Sequence, residues 1–219
     1  MSPVNAKQAE KARQTRRRVI AAAQELFVER GYGVTTLQEV ADRAGVSVQT
    51  IYFTFRNKRT LLKELGDVAV AGDDEPVPTM EREWFTAAMA APTADAQLRA
   101  HVDGAVAVCA RSSAVFEVLR TAAAQEPELD ELWRQGNVKR HTVQLAAAKA
   151  MLAKPGARPR PEADSDADAE ANRIADLLYA ILSPELYLVL VRDRGWTPDQ
   201  FADWAYDTLH AQLAFTTAD

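Results

Sequence analysis

Two short amphipathic segments stand on either side of a single glycine in the first quarter of the chain. Thr36 and Glu39 have the spacing of a capping box, and the apolar residues that follow recur at helical intervals up to the glycine. Gly45 is the residue type that enters the left-handed C-cap conformation without steric cost, and Ser47 is a favourable N-cap. The pattern predicts two helices joined by a tight turn, and this corner limits the folds that the chain can adopt.

A further helix is predicted before this pair. From Arg16 onward the apolar residues fall at helical spacing, and Gly31 and Gly33 end the segment about four turns later. The apolar positions are Val19, Ile20, Ala23, Leu26 and Phe27. The three helices together predict a helix-turn-helix unit, and the alternative is an ordinary small helical hairpin.

The last helix of this unit has an unusual outer face. Its outward positions carry short hydrogen-bonding side chains and one aromatic ring, without Glu or Lys: Ser47, Gln49, Thr50, Phe53 and Thr54. A helix that only faces solvent normally carries charged residues there. Hydroxyl and amide groups instead match phosphate oxygens and base edges in the major groove of DNA, which favours the helix-turn-helix interpretation.

A fourth helix is predicted to begin at the N-cap Asn57, with Lys58 and Arg59 in its first turn. Cations are unfavourable at a helix N-terminus, where the aligned peptide dipoles leave partial positive charge. An anion bound at the same place would remove the conflict, and a DNA phosphate is such an anion.

The composition favours an all-α protein. The 219 residues are rich in helix formers and include only 10 Pro and 9 Gly. The single Cys excludes an internal disulfide, and no stretch approaches the roughly 18 consecutive apolar residues of a membrane helix. Because the N-terminus is polar and basic, without the apolar segment of a secretion signal, we expect a soluble, cytoplasmic protein without a membrane partner.

The charge is unevenly distributed. The formal net charge is -5, which by itself argues against a nucleic-acid partner. Residues 1–65 nevertheless hold 12 Lys and Arg against 6 Asp and Glu, a net charge of +6, while the remaining 14 and 25 give residues 66–219 a net charge of -11. The basic run from Lys7 to Arg18 would attract a phosphate backbone, although a solvated tail could carry it equally well.

These residues resemble the DNA-binding domain of the TetR family of transcriptional regulators. The resemblance is carried by glycines, caps and aromatic residues at the family's spacing, in the segments Thr36–Ala41, Ala44–Ser47, Thr50–Tyr52, Phe55–Lys58 and Leu61–Leu62. It is confined to the N-terminal part of the chain. One departure is Thr54, where members of the family usually carry His.

The resemblance implies a set of DNA contacts. By position, Thr36, Tyr52 and Lys58 would contact phosphates, and Gln49 and Thr50 would read bases. The full expected set is Arg16, Arg17, Arg18, Thr36, Ser47, Gln49, Thr50, Tyr52, Phe53 and Lys58. Arg16 to Arg18 belong to a basic arm that could add backbone or minor-groove contacts. Tyr52 has a second interpretation, as a buried core aromatic with its hydroxyl at the surface.

The rest of the chain is expected to be a helical body of five or six helices. We place the DNA-binding domain at residues 1–65 and the body at residues 66–219, with the helix from Leu61 to Ala71 as a rigid connection. The resemblance implies that the body binds an effector. Candidate pocket residues are those whose bulk or polarity is odd for a core: Trp84, His101, Cys109, Phe116, Trp133, His141 and Tyr179. Core packing is the competing interpretation for each, and the expected effector is a small apolar or aromatic organic compound.

The last two helices of the body are expected to form a dimer interface. Their apolar stripes look too broad for burial on one side only, which favours a four-helix interface between two copies over simple core packing. The expected interface residues are Ile174, Leu178, Ile181, Leu182, Phe201, Trp204 and Leu209. Thr197, Pro198 and Gln200 form the N-terminal cap signal of the last helix.

A mobile loop is expected from Ala153 to Asn172, which is rich in Pro, Asp and Ala. The Asp164, Asp166 and Asp168 series resembles a calcium loop only superficially, since Ala169 replaces the required Gly and Ala175 the bidentate Glu. His101, Cys109 and His141 include no closely spaced pair of ligands, so no metal and no cofactor is predicted.

The function that best fits these patterns is a homodimeric, ligand-responsive repressor that binds a palindromic double-stranded DNA operator. The alternatives are an activator or architectural DNA-binding protein without a small-molecule ligand and, more remotely, a helical small-molecule enzyme. The enzyme alternative is weak, because the chain lacks His-Glu-x-x-His, a phosphate-binding glycine loop and a nucleophile elbow.

Overall fold

The computed structural model of the protein describes residues 3–157 and 167–213, and all regular structure in these two ranges is helical, which confirms the predicted all-α class. The helices are α1 (Pro3–Arg30), α2 (Leu37–Ala44), α3 (Val48–Phe55), α4 (Lys58–Ala71), α5 (Glu83–Ala90), α6 (Ala94–Ala123), α7 (Pro127–Leu152), α8 (Ala167–Ile181), α9 (Pro184–Tyr187) and α10 (Pro198–Leu213). A short 3₁₀ turn at Thr79–Glu81 precedes α5, and a π-helical segment at Leu188–Asp193 continues α9.

The chain forms two compact units. The N-terminal unit comprises Met1–Asp74 together with Ala114–Trp133, and the C-terminal unit comprises Glu75–Ser113 together with Arg134–Asp219. These limits differ from the predicted boundary after residue 65, because α4 and parts of α6 and α7 lie with the N-terminal unit. The helix α4 ends at Ala71, inside the N-terminal unit and three residues before its limit at Asp74, and a rigid connection through α4 stays a prediction.

The N-terminal unit is built around a core that joins all of its helices. The five apolar positions predicted for the first helix are all buried, and Ile51 and Phe55 of α3 pack into the same cluster with Leu61 and Leu62 of α4. The cluster also includes Val115, Ala122, Ala123 and Leu129 from α6 and α7. These late residues carry no recognisable motif, and only long-range packing assigns them to this unit.

The first helix is much longer than predicted. It begins at Pro3 rather than near Arg16, so that the basic run from Lys7 to Arg18 is helical. The expectation of a basic arm outside the helix is therefore wrong. The physical reason is that this run contains no glycine and, after Pro3, no proline, and most of its residues are good helix formers.

The C-terminal unit has a separate core. Apolar side chains from α5 to α8 and from α10 form it, with Leu98, Val102, Met151, Ile174 and Phe201 among its most buried members. The cap signal of the last helix is confirmed: the Thr197 amide donates to Gln200 Oε1 at 2.8 Å, and the Gln200 amide donates to Thr197 Oγ1 at 3.1 Å.

One stretch of this unit comes closer to a membrane span than the sequence prediction allowed. Residues Asp168–Asp193 are long and apolar enough to cross a membrane by length and composition, and their most apolar 18-residue window has a mean hydropathy of 1.8. Core helices of soluble proteins pass the same test, so that one such stretch is weak evidence for a membrane segment. Ser183 caps a new helix within it and thereby divides the stretch in two.

The predicted loop from Ala153 to Asn172 overlaps a helix at its C-terminal end. The helix α7 ends at Leu152, but α8 begins at Ala167, so that the prediction is wrong for residues 167–172, where acidic side chains in the first turn suit the helix dipole. Pro159, Pro161, Asp164 and Asp166 lie outside the described residues. Within the described part of the chain, no group of three or more His, Cys, Asp or Glu side chains could hold a metal ion.

Most of the predicted interface residues are buried inside the unit itself. Ile174, Leu178, Leu182, Phe201 and Leu209 are at most 3% exposed and belong to the core. They leave no surface for a partner, so this part of the prediction is wrong. Ile181 and Trp204 are half-buried and pack at the edge of the core. The sequence pattern could not separate inward from outward positions, because these helices carry apolar residues on both sides.

Candidate nucleic-acid interface

The turn between α2 and α3 has the geometry that its sequence predicts. The amide of Glu39 donates to Thr36 Oγ1 at 3.2 Å, and Glu39 Oε2 accepts the amide of Thr36 at 2.7 Å, which completes the capping box. Gly45 adopts φ 65° and ψ 43°, the left-handed conformation in which an L-side chain is strained. Ser47 then caps α3 by accepting the amide of Thr50. These contacts confirm the predicted tight corner.

The helix α3 separates cleanly into a buried and an exposed face. Ile51 and Phe55 are fully buried, whereas Tyr52 is 53% exposed and Phe53 is 92% exposed. Gln49 is exposed as well. The alternative interpretation of Tyr52 as a buried core aromatic is therefore wrong. Since exposing a phenylalanine ring to water is unfavourable, the position of Phe53 marks this face as a surface for contact.

Hydrogen bonds within α3 leave Gln49 as its most available polar side chain. Ser47 Oγ and Thr50 Oγ1 lie 2.9 Å apart, and Thr54 Oγ1 donates to the carbonyl of Thr50 at 2.8 Å. No hydrogen bond engages the Gln49 amide within the described residues. A free carboxamide on an exposed helix face can pair with the N6 and N7 edge of adenine in a major groove.

Lys58 is held beside the corner by aromatic rings. Its Nζ lies 4.2 Å from the centroid of the Tyr32 ring and 3.4 Å from the carbonyl oxygen of Gly33, to which it donates. Burial lowers the pKa of Lys58, and the carboxylates of Glu126 and Glu39 oppose this effect. Burial is also the main reason why the pKa of Tyr32 rises to about 12. The ring contact fixes the ammonium in place at the N-terminus of α4, where a phosphate could reach it.

Arg59 forms an ion pair with Glu128. Its guanidinium lies 2.6 Å from a carboxylate oxygen of Glu128 at the start of α7, and the hydrogen bond raises the pKa of Arg59. Sequence reasoning had expected a DNA phosphate to compensate the cations at this helix end. The structure supplies a carboxylate for Arg59 instead, and the sequence offered no signal for it because 69 positions separate the two residues.

The three predicted arginines of α1 differ in their surroundings. Arg16 is half-buried and lies 2.6 Å from Glu64 of α4, and Arg17 forms a two-point ion pair with Asp74 at 2.7 and 3.0 Å. Arg18 is exposed and has no ion pair in the part of the chain that the structure describes. Of the three, Arg18 therefore presents the least compensated charge to a phosphate.

Sequence reasoning missed Arg56. This residue follows α3 with φ 65° and ψ -49°, the only non-glycine residue with positive φ among those described. Its side chain is exposed, and its amide donates to the carbonyl of Tyr52 at 3.0 Å. A basic residue one position before an N-cap gives no signal in a sequence pattern, because helical periodicity does not mark positive φ. Arg56 thus places an exposed cation directly after the C-terminus of α3.

The predicted effector residues do not form one group. Phe116 and Trp133 pack against each other in the N-terminal unit, with ring centroids 5.9 Å apart. His141 and Tyr179 form a second pair, 5.8 Å apart, in the C-terminal unit.

Trp84 and His101 form a third pair, 5.9 Å apart, in the core of the C-terminal unit. Cys109 is buried there beside the carbonyl of Leu182, and burial raises the pKa of its thiol to about 12. The seven candidates therefore do not line one common pocket.

The comparisons with known proteins agree with this geometry. Residues 19–65 match the family model described as bacterial regulatory proteins, tetR family. Over 58 residues, 26% of this chain, the sequence is 43% identical to the transcriptional regulator TtgR of Pseudomonas putida, and the match covers 28% of that protein. The family and this relative are transcriptional regulators rather than enzymes. The chain spans little more than a quarter of the length of the relatives that it matches in sequence.

Solved structures resemble nearly the whole chain. NalD of Pseudomonas aeruginosa, the secondary repressor of the MexAB-OprM multidrug efflux pump, has a TM-score of 0.62 at 21% identity, with 94% of this chain and 97% of that chain covered. A transcriptional regulator of Saccharomonospora viridis in complex with choline has a TM-score of 0.66 at 17% identity, covering 93% and 98%. At these identities the likeness shows the fold.

The corner between α2 and α3, with the exposed face that follows it, defines a helix-turn-helix protein. More particularly, residues 19–65 are similar to the tetR family of bacterial regulatory proteins.

Proposed function

We propose that this protein is a transcriptional regulator that binds double-stranded DNA by placing α3 in the major groove. The observation that carries the proposal is the exposed face of α3, where an uncommitted Gln49 amide stands beside a Phe53 ring that is 92% exposed. Gln49 is assigned to adenine edges and Phe53 to thymine methyl groups. The match of residues 19–65 to the tetR family supports the same role.

The phosphate contacts are assigned to groups around this face. Lys58, fixed by the Tyr32 ring, and the hydroxyls of Thr36, Ser47 and Tyr52 would hold the backbone on either side of α3. Thr50 stays a candidate for base contact through its hydroxyl. Arg18 and Arg56 add exposed cations, while Arg16 and Arg17 would first have to leave their carboxylates.

We further propose that two copies bind a palindromic operator. A homodimer would place two α3 helices in successive major grooves, roughly 34 Å apart. The apolar stretch from Asp168 to Asp193 supports dimer formation, because only 44% of its most apolar window is buried within one chain. Val189 is 48% exposed, and half-buried Ile181 and Trp204 lie on neighbouring helices of the same unit.

The dimer is tested by analytical ultracentrifugation of Val189→Asp beside the native chain. A buried aspartate at an interface is costly, so that this variant should sediment as a monomer where the native chain is a dimer. The control is Val138→Asp on α7, an exposed valine outside the proposed interface, which should leave the dimer intact. Equal dimerisation of all three proteins would contradict the assignment.

We propose that the protein represses transcription and that binding of an effector relieves the repression. The structural neighbour NalD is a repressor, and the neighbour from Saccharomonospora viridis has choline bound. A small apolar or aromatic organic effector would bind the C-terminal unit and favour a conformation that no longer fits the operator, which requires different affinities for the two states. An activating or architectural role is separated from repression by transcription from a template that carries the selected site.

The proposal is tested by selecting DNA from a random pool with the purified protein at a stated, near-physiological salt concentration. Recovery of a palindrome with half-sites about one helical turn apart supports the dimeric groove-reading function. Recovery of sequences without any common motif would contradict it. The affinity for the selected site should fall steeply as salt rises, because each phosphate contact releases counterions.

A further inference from the structure

Among the described residues of the C-terminal unit, several buried side-chain polar atoms have no hydrogen-bond partner, and three of these atoms belong to residues that lie close together. They are Nε1 of Trp84, Oε1 of Gln97 and Nδ1 of His101. Gln97 and His101 are 0% exposed, whereas the Trp84 side chain is half-buried although its Nε1 is covered. Buried polar groups in native proteins are normally paired, and each exception asks for an explanation.

The three groups lie in one neighbourhood. Gln97 and His101 are four residues apart on α6 and therefore point from the same face, one turn apart. The rings of Trp84 and His101 have centroids 5.9 Å apart, and the ring of Phe85, the next residue of α5, lies 6.1 Å from that of His101. The Trp84 ring occupies the notch left by Gly104, where an added Cβ would overlap Cε3 of the indole.

The remaining hydrogen bonds define what each free atom can do. Gln97 Nε2 donates to the carbonyl of Ala147 at 2.9 Å, which leaves Oε1 as an acceptor. His101 Nε2 lies 2.7 Å from Gln144 Oε1, and because that oxygen can only accept, Nε2 carries the proton and Nδ1 is an acceptor. Burial lowers the pKa of His101 and keeps its ring neutral. The indole N–H of Trp84 is a donor, so that the unpaired set is two acceptors and one donor.

We infer that this neighbourhood binds a small neutral compound that carries a primary carboxamide on an apolar or aromatic body. The two amide N–H groups would donate to Gln97 Oε1 and His101 Nδ1, and the amide oxygen would accept the Trp84 N–H. Phe85 and Met89 supply apolar contacts for the body of the compound. A hydroxyl offers only one donor and a carboxylate none, so that neither complements the set. Half-buried Trp84 is the side chain that moves to admit the ligand.

This site narrows the class of effector proposed above. Its role as an effector site rests on the proposed function, whereas binding of the carboxamide does not. The expected effector is therefore not only apolar. It also carries a primary carboxamide with two hydrogen-bond donors and one acceptor. Satisfied polar contacts in a buried site give discrimination, because a ligand without them leaves the protein groups unpaired.

Isothermal titration calorimetry of the native chain with benzamide tests the site, with N,N-dimethylbenzamide and benzoate as matched probes. Benzamide is expected to bind with a Kd on the order of 1 mM or lower, the range for a ligand of this size. N,N-dimethylbenzamide lacks both N–H donors and should bind at least about tenfold more weakly. Benzoate should show no measurable binding. Equal affinity for the three compounds, or no binding of benzamide, would overturn the inference.

Two variants make the test specific to these residues. Trp84→Phe keeps an aromatic ring and removes the donor, and it should weaken benzamide binding about fivefold to tenfold. Gly104→Ala, a substitution that favours the helix itself, should displace the indole and weaken binding similarly. The control is Trp196→Phe, whose ring packs against Trp204 rather than against His101, and it should leave the affinity unchanged. Unchanged affinity in both site variants would overturn the assignment of Trp84.

Operator binding is measured separately by fluorescence anisotropy, with and without benzamide. Failure of the native chain to bind selected DNA would count against the proposed function and leave the calorimetric result standing. Benzamide binding with unchanged DNA affinity would support the ligand site and overturn its effector role.

Discussion

The two units of this protein differ in the sequence separation of the contacts that determine their structure. In the N-terminal unit, a capping box, a left-handed glycine and a serine cap fix a corner within twelve residues, from Thr36 to Ser47. In the C-terminal unit, long helices are joined by contacts between residues far apart in sequence, such as the hydrogen bond from Gln97 Nε2 of α6 to the carbonyl of Ala147 of α7. The contrast shows that the proposed DNA-binding surface depends on local hydrogen bonds, whereas the proposed ligand site depends on tertiary packing.

The largest effect expected from this comparison is on the two cores. Phe27 and Phe201 are both 0% exposed, one in each unit. Replacing either by Ala should reduce the free energy of unfolding of its own unit by about 3 to 5 kcal/mol, because a cavity adds to the lost apolar burial. Hydrogen exchange resolved by peptide measures each unit separately.

Each of these variants is the control for the other. Phe27→Ala should accelerate exchange in α2 and α3, and Phe201→Ala in α8 and α10. Loss of protection in both units from either substitution would show that the two units unfold together, and would contradict separate stabilisation of the two cores.

A smaller effect is expected from the two capping boxes. Thr36 caps α2 in one unit and Thr197 caps α10 in the other, with the same pair of hydrogen bonds. Thr36→Ala and Thr197→Ala should each reduce the free energy of unfolding by about 1 kcal/mol. Thermal unfolding measures the loss. Only Thr36→Ala should also weaken DNA binding, so equal DNA affinity of the two variants would count against a role for the α2 corner.

The smallest effect near neutral pH concerns the histidines. All three lie in the C-terminal unit, and burial lowers the pKa of His101 from its ordinary value of 6.5. Below pH 6.5 the unfolded chain binds a proton at His101 that the folded unit resists, so that stability is lost as the pH falls toward the lowered pKa. The slope stays below about 1.4 kcal/mol per pH unit, the value for one proton.

Hydrogen exchange between pH 7.5 and 5.5 tests this pH dependence. Protection should weaken in the C-terminal unit and hold in the N-terminal unit, where the lowered pKa of Glu39, due to its hydrogen bonds with Thr36, preserves the capping box down to acidic pH. A uniform response of both units would contradict the assignment to His101.

The sequence was most informative where hydrogen bonds are local. The bounds of α2 and the caps at Gly45, Ser47 and Asn57 were predictable, because each cap bonds a backbone group within four positions. The extension of α1 to Pro3 was missed, since basic charge was taken as a sign of an arm. Charge does not prevent helix formation when each residue type favours a helix.

The interface and pocket predictions depended on distant contacts and were weaker. Leu178 and Phe201 lie in apolar stripes that look the same whether they face a core or a partner, and only the packed structure shows that both are buried. Likewise, nothing in the sequence pairs Arg59 with Glu128 or separates Phe116 from His101.

The DNA affinities of Gln49→Ala and Lys58→Ala show whether α3 reads bases while Lys58 holds the backbone. Both are measured on the selected site and on a scrambled duplex at several salt concentrations, with Lys63→Ala, an exposed lysine of α4, as the control. Gln49→Ala should lose about 1 to 3 kcal/mol on the selected site only, and Lys58→Ala should weaken both duplexes and reduce the salt slope by about 1. Unchanged specificity in the first variant and unchanged affinity in the second would show that Gln49 does not read bases and that Lys58 does not hold the DNA backbone.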